Sequence, residues 1–155
     1  MRSEKGFTLV EIIVVLVLVA IIAVIAVPAM QSISASNSLN ATSGDLTSAL
    51  GAARMQALSM RADVVVTPAA GGWGDGWTVD YPEASNEEDK TFVPANGVTV
   101  SREDGAGALT FSGQGGVVGG GATFSVCSAD EDVNGHTLTL TFLGKVSQTI
   151  KGDCP

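Results

Sequence analysis

The sequence predicts an α+β fold: a long N-terminal helix, partly transmembrane, packed against a small antiparallel β-sheet head. Three observations predict it. Residues 7–27 form an apolar run interrupted by one charge, Glu11. Apolar residues at helical spacing follow as far as Met60. Past residue 62 the pattern changes to short stretches of period-two alternation between turn residues, the mark of antiparallel strands.

The helix comes first. At ~1.5 Å rise per residue, residues 7–27 extend roughly 31 Å, close to the hydrocarbon thickness of a bilayer. Only six residues precede them, with Arg2 and Lys5 giving a basic start. By the positive-inside rule that end stays cytoplasmic and everything after Val27 faces outward. A secretory signal peptide cut after Ala26 is the competing reading. The length of the run and the carboxylate inside it both speak against that. A charge at the centre of a membrane helix costs about 2.5–3.5 kcal/mol on insertion scales, so Glu11 calls for a partner. From Pro28 to Gly44 the chain is rich in Ser, Asn and Ala, with apolar residues at Met30, Ile33 and Leu39, and reads as weakly amphipathic and locally loosened. Leu46, Leu50, Ala53, Ala57 and Met60 then place one stripe against a core, flanked by Arg54 and Arg61. One long interrupted helix ending at Arg61 or Ala62 is expected.

The strands come next. Val64-Val65-Val66 stops at Pro68, and Gly76–Tyr81 alternates and stops at Pro82. Gly97–Val100 and Leu109–Phe111 are short strands, and Thr123–Cys127 and His136–Phe142 alternate most clearly. Residues 83–90 and 113–121 read as loops too polar or too glycine-rich to pack. The stretch beyond the apolar run has six basic residues against fourteen acidic ones, a balance of −8. Such a surface repels nucleic acid and anionic lipid. Cys127 and Cys154 both lie beyond the run. An oxidising compartment permits a disulfide between them, worth roughly 3–4 kcal/mol for a loop of about 28 residues. A pair of free structural thiols is the alternative.

Lys5-Gly6-Phe7-Thr8-Leu9-Val10-Glu11, with Pro28 just past the apolar run, resembles the processing site of type IV prepilins and type II secretion pseudopilins. The resemblance implies cleavage between Gly6 and Phe7 by a prepilin peptidase and N-methylation of Phe7. It implies that Glu11 pairs with such an ammonium, its own or a neighbour's, and that Pro28 kinks the helix. Physically the pairing is sound, since a carboxylate near a helix N-terminus is also favoured by the macrodipole. Ala49–Arg54, Trp73, Gly76-Trp77, Phe111–Gly115, Phe142–Lys145 and the terminal cysteine are similar to the minor pseudopilin group GspH/FimT. The implied organisation is a leader (1–6), a transmembrane and filament-core helix (7–27), a periplasmic helix half (28–62) and a β-rich, pilin-like head (63–155).

The resemblance implies a minor pseudopilin of a type II secretion pseudopilus, in its tip complex, supporting export across the outer membrane. The alternative is a minor type IV pilin that initiates pilus assembly. Implied partners are the prepilin peptidase, other pseudopilins or pilins, an inner-membrane assembly platform, and inner-membrane lipid before assembly. The chain would sit single-pass in a bacterial inner membrane with a periplasmic head. No cofactor, metal or catalytic residue is expected. DNA binding in one branch of the group uses a late Gly-Arg motif; here Gly144-Lys145 stands in its place on an acidic head, a poor phosphate track. Asp130-Glu131-Asp132-Val133-Asn134-Gly135 matches the opening of a calcium loop, but Thr141 stands where the twelfth-position glutamate belongs, so an acidic turn is expected. His136, the only histidine, is expected to point away from the Leu138 and Leu140 face. Trp73 and Trp77 are read as packing residues rather than a ligand-stacking pair.

Overall fold

The computed structural model describes residues 8–82, 85, 87–152 and 154, with the side chains at 25 and 27–29 left aside. It divides into two compact units, residues 1–34 and 35–155. Helix α1 (Leu9–Met60) supplies the described part of the first and the start of the second. In the first unit the side chains of Leu9–Val24 are exposed on every side. Among the described residues no helix is long and apolar enough to cross a membrane.

The second unit holds the core. Leu39, Leu46, Ala49, Leu50, Ala53 and Ala57 of α1 are buried in it, with Thr42 and Ser43 between them. The expected stripe is present except at Met60, which is half-buried. Eight strands follow: β1 (Val64–Ala69), β2 (Gly72–Asp80), β3 (Lys90–Phe92), β4 (Val98–Arg102), β5 (Leu109–Phe111), β6 (Ala122–Ser128), β7 (His136–Leu140) and β8 (Val146–Ile150). They form two antiparallel sheets, ordered β3-β2-β1-β5 and β4-β6-β7-β8. Period-two alternation explains which residues face inward: Val64 and Val66 on β1, Phe124 and Val126 on β6, Leu138 and Leu140 on β7. The sheets meet where Trp73 of β2 stands edge-on to Phe124 of β6, with ring centres 4.8 Å apart. Trp77 stacks on Phe92 across the β2–β3 pair. Burying each such side chain contributes about 1.5–3 kcal/mol, so this aromatic seam is a major part of the head's stability.

Several expectations are corrected. The helix is continuous from Leu9 to Met60, not interrupted, and the Ser/Asn/Ala-rich stretch is not loosened. Thr42 and Ser43 at its end make tertiary hydrogen bonds instead of competing with the helix backbone. The helix ends as a Schellman motif: Arg61 takes a left-handed φ of 51°, and Ala62 N–H donates to Ala57 O at 3.3 Å. Strand β1 passes through Pro68, which is tolerated because the register shifts beside it. β3 and β8 are strands that alternation did not reveal. The stretch 113–121 packs after all, with Gly115 and Val117 buried and Val117 bridged to Phe111. Gly76 has φ 126° and lies so close to the Phe92 carbonyl that any Cβ would collide with it.

Candidate functional site

The helix start holds Thr8 to Glu11, the residues after the expected processing site. Thr8 Oγ1 accepts a hydrogen bond from Glu11 N–H at 3.2 Å, and Ile12 N–H donates to Thr8 O at 3.3 Å. Thr8 is thus the N-cap and Glu11 the third helical residue, the T-x-x-E spacing of a capping box. Glu11 is exposed and lies in the first turn, where the macrodipole favours its charge. Reading the motif only as a processing signal missed this cap, although its spacing stands in the sequence. Gly6 and Phe7 lie outside the described residues. The helix runs through position 28, but the side chain of Pro28 is also outside them, so its expected kink is not described.

Buried polar groups on α1 join the helix to its head. Thr42 Oγ1 accepts from Ala95 N–H at 3.0 Å. Ser43 Oγ lies 3.0 Å from His136 Nδ1, which also receives Gln148 Nε2 at 2.9 Å. With the Gln148 amide donating, Nδ1 is an acceptor and the neutral ring carries its proton on Nε2. Burial holds the imidazole below its usual pKa. His136 therefore shares the inward face of Leu138 and Leu140, correcting the expectation that it points away. Period two dictates this, since residues 136, 138 and 140 have the same parity. Arg54 Nε donates to Gly115 O at 3.0 Å, tying the last turns of α1 to the loop after β5.

The tail is fastened to the outer face of the second sheet. Cys127 and Cys154 form a disulfide with Cα atoms 5.7 Å apart. Lys151 Nζ donates to Ser125 Oγ at 2.6 Å and to Glu103 Oε1 at 3.3 Å, and Ser125 Oγ donates to the same carboxylate at 2.6 Å. The Ser125 hydrogen bond, then that of Lys151, holds the Glu103 carboxyl below its ordinary value. This trio clasps the tail to the sheet: the ammonium pairs with the Glu103 carboxylate, and the serine hydroxyl donates to the same group.

The remaining candidates resolve locally. Asp130 Oδ1 accepts from Asp132 N–H at 3.0 Å and Asp130 O from Val133 N–H at 3.1 Å, so the acidic stretch closes on itself as a turn. Among the described residues no three His, Cys, Asp or Glu side chains converge as metal ligands. Both tryptophans are buried in the core. Lys145 is exposed on the turn between β7 and β8.

A family model described as type II transport protein GspH matches residues 42–144, and one described as the prokaryotic N-terminal methylation motif matches residues 1–27. No curated protein matches the chain. Among solved structures, the type IV minor pilin FimU of Pseudomonas aeruginosa is similar with TM-score 0.64 and 21% identity, over 77% of this chain and 96% of that one. The minor pseudopilin EpsH from the type 2 secretion system of Vibrio cholerae is similar with TM-score 0.56 and 13% identity, over 72% of this chain and 96% of that one. At these identities the likeness establishes the fold: an N-terminal helix packed against antiparallel sheets, α+β and pilin-like.

Proposed function

Because the chain belongs to the type II transport protein GspH family, we propose that it is a minor pseudopilin, a subunit of the tip complex of a secretion pseudopilus. The observation that carries this reading is the coexistence, in one chain, of a methylation-motif match over residues 1–27, with Glu11 in the first helical turn, and a GspH match over residues 42–144. In this mechanism the chain waits as a single-pass inner-membrane protein with its head in the periplasm. A prepilin peptidase cuts between Gly6 and Phe7 and the new terminus is N-methylated. Glu11, held by its cap at the helix start, then neutralises an ammonium of its own chain or of the next as the apolar half enters the filament. Pro28 adjusts the helix where it leaves that core. The assembly platform adds sibling subunits beneath, and the growing filament pushes exported proteins outward. The role is structural, with no reaction assigned to the chain.

Mass spectrometry of the chain from membranes tests the processing step. An N-methyl-Phe7 terminus is expected, and a mature chain beginning after Ala26 would return the protein to ordinary secretion. Glu11→Ala should leave the head folded yet reduce recovery in sheared filaments by about tenfold, the loss of roughly one charge-assisted interaction. Undiminished recovery would sink the assigned role. The alternative, a minor type IV pilin, predicts lost surface pili and intact secretion when the gene is deleted; the secretion reading predicts the reverse.

A further inference from the structure

Six basic residues lie beyond position 28, and they fall into two sets. Lys90, Arg102 and Lys151 each meet a carboxylate, those of Glu87, Asp104 and Glu103. Among the described residues Arg54, Arg61 and Lys145 form no ion pair, although acidic residues outnumber basic ones more than twofold in this part of the chain. The three are not scattered. The side chain of Arg54 reaches Gly115 O and lies against Gly144, the residue before Lys145. The backbone of Arg61 lies against Gly113. Of the three, Arg61 lines an open cleft of about 730 Å³, together with Leu58, Asp63, Ser112, Gly113 and Gln114. Asp63 is the one carboxylate in its lining.

Apolar side chains surround the same place. Phe142 is 65% exposed, Leu143 59%, Val118 58% and Leu58 41%. They are neighbours in space: Val117 N–H donates to Phe142 O, and the Leu58 side chain lies against Gly115. Exposed apolar groups gathered at one end, among cations that form no ion pair among the described residues, are the composition of an interface rather than of a solvated surface. Arg61 occupies the left-handed position that closes the helix, where glycine is favoured.

We propose that this end of the head, formed by the last turns of α1, the loop 112–118 and the turn 141–145, is a docking face for an acidic segment of a neighbouring filament subunit. Carboxylates of that segment meet Arg54, Arg61 and Lys145, and an apolar side chain covers Phe142 and Leu143. The proposal rests on the filament reading above. Charge complementarity selects the occupant: three cations with no carboxylate partner among the described residues and an apolar patch suit a short acidic and apolar peptide better than a phosphate backbone, which calls for a longer basic track.

The test is site-specific photocrosslinking with the full chain in its filament-forming host. A photoreactive phenylalanine replaces Phe142, with Thr149 as the control position, and digested adducts are mapped by mass spectrometry. The expected result is an adduct with a sibling subunit, located within a segment holding two or more carboxylates. Reversing charge with Arg61→Glu and Lys145→Glu should lower its yield by about tenfold. Arg61→Gly should lower it about two- to fivefold while raising the melting midpoint of the head by about 2–4 °C. That pair of opposite effects separates docking from folding. Recovery of the probe-bearing chain in sheared filaments without an adduct would overturn the docking face and spare the filament reading. So would an adduct with nucleic acid, with lipid or with a segment lacking carboxylates. If the unsubstituted chain is itself missing from sheared filaments, the filament reading fails first and the docking face with it.

Discussion

Breaking the Cys127–Cys154 bond should lower the stability of the head by an amount its loop length determines. The two residues are 27 apart in sequence, so the bond closes a loop of about 28 residues. In the chain-entropy account such a loop restricts the unfolded chain by about 3.5 kcal/mol at 25 °C. For a unit of about 120 residues, 1 kcal/mol moves the midpoint by roughly 3–5 °C, so Cys127→Ser with Cys154→Ser should cost about 10–17 °C. The assay is intrinsic fluorescence of the full chain in detergent during heating. Trp73 and Trp77 are its only tryptophans, and both are buried in the head, so the signal ignores the apolar helix half. Each single serine variant should match the double one, because the loop opens in either. A shift below about 3 °C would refute the reasoning. It would mean that the clasp of Lys151, Ser125 and Glu103 already holds the tail without the covalent bond.

The His136 ring is held neutral by burial, so the folded head takes up its proton less readily than the unfolded chain. Its pKa is lowered on folding, and the linked stability is therefore intact above the ordinary value of 6.5 and lost as pH falls through the lower folded value. Denaturant titrations across that window should show the decline, and His136→Gln should flatten it. Thr42→Val keeps the shape but leaves the Ala95 N–H without its acceptor, and chemical unfolding should register about 1–3 kcal/mol of loss. Thr42→Ser, which keeps the oxygen, should recover most of that. Gly76→Ala combines a φ of 126° with a collision at the Phe92 carbonyl, and about 2–4 kcal/mol should be lost in the same assay, with β3 exchanging its amide protons first.

What could be read from the sequence followed from repetition. The stripe from Leu46 to Ala57 repeats every three or four residues, and β6 and β7 alternate strictly, so burial of one face was legible in each. Strand β3 is three residues long and begins with an exposed lysine; its structure comes from pairing with β2, through Trp77 and Phe92. β8 is exposed along nearly its whole length and exists because β7 offers it a free edge. Neither has a pattern of its own. Thr42 and Ser43 look like helix-weakening residues until Ala95 and His136 are placed opposite them, more than 50 positions away in sequence. His136 is a different case. Its parity with Leu138 was in plain view, and polarity was allowed to outweigh it. At the helix start, Glu11 was legible as an exceptional residue from its cost alone. The cap from Thr8 was legible too, but a motif read for one purpose concealed the second.

The apolar half of α1 has a consequence for orientation. From Leu9 to Val24 its side chains are exposed all round, and all but Glu11 are apolar. In an apolar surrounding a rod of this kind has no preferred rotation about its axis, since every azimuth offers the same contacts. One carboxylate breaks that degeneracy. Glu11 marks a single direction on an otherwise unmarked cylinder, fixed to the backbone by the cap that begins the helix. A partner that engages it therefore sets the angle of the helix as well as its depth, and one charge does the work of an entire polar face.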